Sequence, residues 1–212
     1  MQPRKQGDYK KFIFVEGDDD FHFICNLLEI ENISDVFVEK VNGKTKLKVA
    51  LKAFTKLSAF ESAESLFVIV DADTSFNDSE KSVASIFSEL SITSPKKHTD
   101  ITTHGSTKIS FFIMPGNGEN GAIEDLVLKH ASNKKVFTHI TDLFHKIKEE
   151  EVTIAETDPE YKYPSNEKKA KVQVYLSCNH DSDSRIGTSM KKKTIDTSDP
   201  CFLEIKTFLS KI

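Results

Sequence analysis

Leu66-Phe67-Val68-Ile69-Val70 runs straight into Asp71-Ala72-Asp73. A short, wholly apolar run rich in Val, Ile and Phe with polar residues behind it reads as a strand buried on both faces of a parallel sheet. Phe12-Ile13-Phe14-Val15, followed by Glu16-Gly17-Asp18-Asp19-Asp20, repeats the pattern near the start of the chain. Ligands bind parallel sheets at the carboxyl ends of the strands. Two such strands are expected to aim Glu16, Asp20, Asp71 and Asp73 into one crevice. Carboxylates gathered in one place repel each other unless a hard cation such as Mg2+ sits among them. A plainer role competes, since Asp caps helices and suits their positive N-terminal end. Asp18, Asp19 or Asp20 then simply caps the helix that follows. Both clusters together favour the shared site.

Outward from these strands, Phe21, Ile24, Cys25, Leu27 and Leu28 recur at helical spacing. Asp35–Val41 reads as a strand, Asn42-Gly43-Lys44 as a turn, and Leu47, Ala50, Leu51, Phe54 and Leu57 as the apolar face of a helix. A further helix is expected from about Ser79 to Leu90, a polar loop over 91–107, and a strand over Ile109–Met114. Strand-helix alternation predicts a parallel α/β sheet with helices on both faces. Beyond Pro115 the strand signal fades. Residues 122–148 read as two helices split near Ser132-Asn133, residues 167–176 as another, and Asp199-Pro200 as the start of a last one. The segments 149–166 and 177–199 are polar and read as loops, the second disordered in part. The expected division is an α/β domain over 10–130 and a helical C-terminal extension over 131–212.

Charge and composition narrow the function. The net charge of −4 provides no global basic field to attract nucleic acid, although a nuclease site must itself be acidic to hold metal. Three scattered cysteines without Cys-x-x-Cys spacing fit a reducing compartment. Met1-Gln2-Pro3-Arg4-Lys5 lacks an apolar signal core, and no apolar run approaches the ~18–20 residues that span a bilayer. A soluble cytoplasmic protein is expected. The seven histidines form no zinc motif, and no serine stands in a Gly-x-Ser-x-Gly elbow. His22, beside the first acidic cluster, reads as a helix-surface residue, and Lys191-Lys192-Lys193 as a solvated basic run.

Gly116-Asn117-Gly118-Glu119-Asn120-Gly121 matches the dinucleotide fingerprint and sits between a strand and a helix. The fingerprint belongs to a first strand, whereas this is the fourth expected, and the acidic strand end required some 20 residues later falls in a helix. The plainer reading is a turn whose glycines let backbone approach the acidic crevice. Glu124 and Asp125, in the first turn of the next helix, would then face it.

Val15-Glu16-Gly17-x-x-Asp20 and, further on, Asp71-Ala72-Asp73 resemble the two signatures of the Toprim domain, shared by topoisomerases, bacterial primases, recombination proteins and overcoming-lysogenization-defect nucleases. The resemblance covers roughly residues 10–130. Met114-Pro115 with Gly121–Leu126, and the Lys-rich helix before Leu176, look like small stand-alone Toprim-like proteins. It implies a Rossmann-like three-layer fold with a mainly parallel four-stranded sheet and a C-terminal helical extension. It also implies Glu16 as general acid/base or metal ligand, and Asp71 and Asp73 as holders of Mg2+, with Mn2+ as a substitute. Asp20 matches the acidic residue that ends the first motif in nuclease-type members. Glu124 or Asp125, and Lys169 or Lys171, are candidates for a late acid and a downstream lysine. The expected function is Mg2+-dependent phosphodiester chemistry on DNA or RNA, as a nuclease. The alternatives are a metal- or nucleic-acid-binding module that works only with a protein partner, and a nucleotide-binding protein using the Gly116–Gly121 loop.

Overall fold

The computed structural model describes residues 6–180 and 183–212. They form an α/β protein with five strands in the order β2-β1-β3-β5-β4. β1 (Lys11–Val15), β2 (Val36–Lys40), β3 (Ser65–Asp71) and β5 (Thr107–Met114) are parallel, and β4 (Thr102–His104) pairs with β5 in the antiparallel sense. The sequence reading expected four strands and a loop over 91–107. β4 escaped it because Thr-Thr-His carries no apolar alternation and lies on a sheet edge, where only its ladder with Thr107–Ile109 defines it.

One compact unit runs to Ile123 and takes in Phe202–Ile212; the other is Glu124–Cys201. In the first, α1 (Asp18–Ile30), α2 (Lys44–Phe54), the single turn α3 (Ser58–Glu61) and α4 (Phe76–Glu89) alternate with the strands. Alternate strand residues serve opposite faces. Phe12, Phe14, Leu66, Val68, Val70, Ile109 and Phe111 therefore share a core with Leu47, Leu51 and Phe54 of α2 and Val83 and Phe87 of α4. On the other face, Phe67 and Phe112 meet Phe208 of α10 (Leu203–Leu209) at ring-centroid distances of 4.8 and 5.3 Å. Phe23 of α1 lies 6.3 Å from Phe202, which immediately precedes α10. The last helix thus covers a sheet whose strands lie far back in sequence.

In the second unit, α5 (Ile123–Ala131, continuing from the first), α6 (Lys135–Glu149), α7 (Glu151–Thr157), α8 (Glu167–Ser177) and α9 (Ile186–Lys191) follow one another. The break between α5 and α6 falls where Ser132-Asn133 predicts it. The expected loop over 149–166 contains α7, which has no buried residue and so left no apolar stripe to read. The expected loop over 177–199 contains α9, with Ile186 and Met190 buried, and Ile195 is buried beyond it. Asp181 and Ser182, within the stretch read as partly disordered, lie outside the described residues. Among the described residues no helix is long and apolar enough to cross a membrane.

Phe208 is fully buried and touches two rings of the sheet. Phe208→Ala is expected to lower unfolding free energy by about 3–5 kcal/mol in chemical denaturation of the full chain. A loss below about 1 kcal/mol would mean that α10 is not part of the first unit's core.

Candidate functional site at the β1–β3 strand ends

β1 is central: its connection runs first to β2 on one side, and the chain then passes to β3 on the other. That reversal opens a crevice at the carboxyl ends of β1 and β3, where α/β sheets bind ligands. The parallel register sets Val15 beside Ile69, so Glu16 and Asp71 emerge at neighbouring strand ends. Glu16 Oε1 accepts from the Lys44 backbone N–H at 3.2 Å, and Oε2 accepts from the Asp71 N–H at 3.5 Å. The first of these amides opens α2, so the carboxylate sits at the positive end of that helix.

The sequence reading placed Lys44 only in a turn. Its ammonium enters the crevice and donates to Asp71 O at 2.9 Å, Asp73 Oδ2 at 3.0 Å and Ser79 Oγ at 2.7 Å. These contacts account for its three protons. Ser79 is buried and donates in turn to Ala72 O. Asn42 (φ 60) and Gly43 (φ 113) make the turn that delivers the lysine, and Gly43 N–H donates to Glu16 O. No local sequence pattern signals this reach, because it depends on which strand lies next to β1.

Asp73 has a left-handed backbone (φ 53), a conformation Asp tolerates better than most residues. Its N–H donates to Gly121 O at 2.8 Å, so the Gly116–Gly121 loop holds the end of the second acidic motif. Asn120 Oδ1 accepts from Phe76 N–H at the start of α4, whose N-cap is Ser75. Gly116 (φ 99) has a backbone that L side chains rarely adopt, and an added Cβ would also crowd the Phe112 ring at 3.0 Å and the end of the Glu204 side chain. The Glu204 carboxylate accepts from Asn117 N–H. The Asn117 amide of this loop is thus bound to a carboxylate of α10.

Asp20 is buried, and its Oδ2 accepts from Gly17 N–H at 2.9 Å, the capping arrangement of the plainer reading. Asp18 pairs with Lys40, which holds its carboxyl below the usual range. His22 is exposed, with its ring against Phe21. Glu124 and Asp125 open α5; Glu124 is buried and Asp125 pairs with Lys168 at 2.5 Å. Lys171 pairs with Glu167 one turn earlier and lies over the Phe144 ring, while Lys169 is exposed on the same helix. Among the described residues no three His, Cys, Asp or Glu side chains form a ready-made metal cage.

Residues 10–212 match the model of a family described as a protein of unknown function, DUF3226. The chain belongs to the DUF3226 family. No curated protein and no solved structure matches it.

A second constellation in this DUF3226 chain is structural. His130 Nδ1 lies 3.1 Å from Asp199 Oδ2, and Asp199 Oδ1 accepts from Cys201 N–H at 3.0 Å. Burial, with the Asp199 carboxylate beside it, pushes the Cys201 thiol up to about 12. At neutral pH it is a thiol and not a nucleophile. A maleimide pulse at neutral pH read by mass spectrometry is expected to label exposed Cys178 before half-buried Cys201. Lys44→Met leaves the crevice oxygens without their ammonium and is expected to cost about 1–3 kcal/mol of stability, measured by urea unfolding.

Proposed function

We propose that this protein is a Toprim-type phosphodiester enzyme, a Mg2+-dependent nuclease acting on DNA or RNA. The observation that carries the proposal is the Lys44 ammonium ringed by a carbonyl, a carboxylate and a hydroxyl at the β1–β3 switch point. A crevice that gathers hard oxygen donors around a cation suits Mg2+ or Mn2+ by its donor chemistry. Asp71 and Asp73 would hold the ion, with Glu16 beside them. A bound Mg2+ supplies charge neutralisation on the phosphoryl oxygens and lowers the pKa of a coordinated water.

The chain's own residues supply the rest. Glu16, fixed by two backbone amides, is placed to accept a proton from an attacking water. Lys44 exchanges its contact with Asp73 for a phosphoryl oxygen and stabilises the negative charge that develops there. In this reading it takes the role expected of Lys169 or Lys171. Asp20 contributes by capping α1, which directly follows the Glu16-Gly17 strand end. The spacing of Glu16, Asp71 and Asp73 that resembles the Toprim signatures supports the same reading.

The test is cleavage of plasmid, single-stranded DNA and RNA with Mg2+ or Mn2+. Wild type is expected to cleave at least one of them only with metal. Asp71→Asn, Asp73→Asn and Glu16→Gln are each expected to lose about 100-fold or more while remaining folded. Mg2+ is also expected to raise the melting temperature of Lys44→Met more than that of wild type, because no tethered ammonium then competes for the oxygens. Metal-independent cleavage, or equal Mg2+ shifts in Asp71→Asn and wild type, would remove the metal site from the mechanism.

A further inference from the structure

Helix α2 departs from the rest of the chain in charge. The chain has 33 Asp and Glu against 29 Lys and Arg, yet α2 carries Lys44, Lys46, Lys48 and Lys52 and no acid. Lys56 follows in the turn that closes it. Lysines that serve only solubility are commonly interleaved with acids four residues away, where opposite charges attract. Here Lys44, Lys48 and Lys52 recur every four residues, which sets them in one row with steps of about 6 Å along the helix, and Lys56 continues the spacing in the turn beyond Phe54. Leu47, Leu51 and Phe54 are buried in the core, which fixes the row toward solvent.

The row begins inside the crevice, where Lys44 holds Asp73. Lys48 pairs with Glu89. Lys46, Lys52 and Lys56 are exposed, and among the described residues none of them makes an ion pair. Like charges at this spacing repel and destabilise the helix that carries them. Among the described residues no carboxylate pairs with Lys52 or Lys56, so both ammonium groups face solvent and suit an anion from outside. An extended polyanion would meet several of them at once on its way to the crevice.

We propose that the Lys48–Lys52–Lys56 row is the track along which the phosphate backbone of a nucleic-acid strand runs to the Lys44 crevice. This rests on the phosphodiester reading of that crevice and extends it to the path of the substrate. Contacts of this kind position the strand without reading its bases, so affinity is set by salt and not by sequence.

The test is fluorescence anisotropy of the full chain with labelled oligo(dT) and oligo(U) across a salt series, in EDTA so that no cleavage intervenes. Wild type is expected to bind, with affinity falling as salt rises. The double variant Lys52→Gln/Lys56→Gln is expected to bind about tenfold more weakly, with the log–log salt slope shallower by about 1.4 and an unchanged melting curve. Absence of binding in wild type overturns the track, as does an unchanged affinity and slope in the double variant. Row-dependent binding without cleavage under any metal condition would sustain the track and sink the chemistry. Metal-dependent cleavage together with row-independent binding would do the reverse.

Discussion

Adjacent strands lie about 4.8 Å apart, and two like charges at that separation repel by about 3 kcal/mol at an effective dielectric of 20. The β1–β3 register places Glu16 and Asp71 at neighbouring strand ends, with Asp73 two residues further on. The Lys44 ammonium brings positive charge to this acidic end of the sheet. It donates to the Asp71 carbonyl and to the Asp73 carboxylate, while its own backbone amide donates to Glu16. One residue therefore ties both strand ends to the helix between β2 and β3. The delivery is sequential: the end of β1 binds the Asn42-Gly43 turn, the turn starts α2, and the first residue of α2 reaches the end of β3.

The far side of the crevice is fixed by a second chain of polar contacts. Glu204 accepts from Asn117 N–H and meets His98 Nε2 at 3.0 Å. Ile113 N–H donates to His98 Nδ1, so the proton of a neutral ring lies on Nε2 and points at Glu204. The His98 backbone N–H donates to Glu80 of α4. α4, β5, the glycine loop and α10 are thereby held together, and the loop in turn binds Asp73 through Gly121. Gly116 of that loop takes a positive φ of 99°, a backbone that favours glycine.

The apolar strands β1, β3 and β5 were legible because their burial on both faces leaves a continuous signal in the sequence. The carboxylates behind them were legible because a strand end is a fixed place. The α5–α6 break and the start of the last helix were equally local, set by Ser132-Asn133 and Asp199-Pro200. What the sequence hid depends on tertiary neighbours. β4 exists only through its partner, α7 has no buried face, and Asp20 follows the local capping rule despite its place in an acidic motif. Lys44 was hidden most completely. Its neighbours Asn42 and Gly43 signal a turn, and nothing local reveals that the turn opens toward β3.

Charge distribution connects the crevice to α2. The chain as a whole is acidic, and its field opposes the approach of a polyanion. At physiological ionic strength that field is screened within about 8 Å, so a small local excess of positive charge prevails at contact distance. α2 concentrates such an excess on its solvent face, while its first residue neutralises the acidic strand ends. The helix thus presents positive charge in two settings: half-buried at Lys44, where it is matched by protein oxygens, and solvated at Lys52, where among the described residues it makes no ion pair. Uniformly spread lysines would pair with the chain's many carboxylates, whereas a row on a helix without acids keeps its charge available beside the crevice.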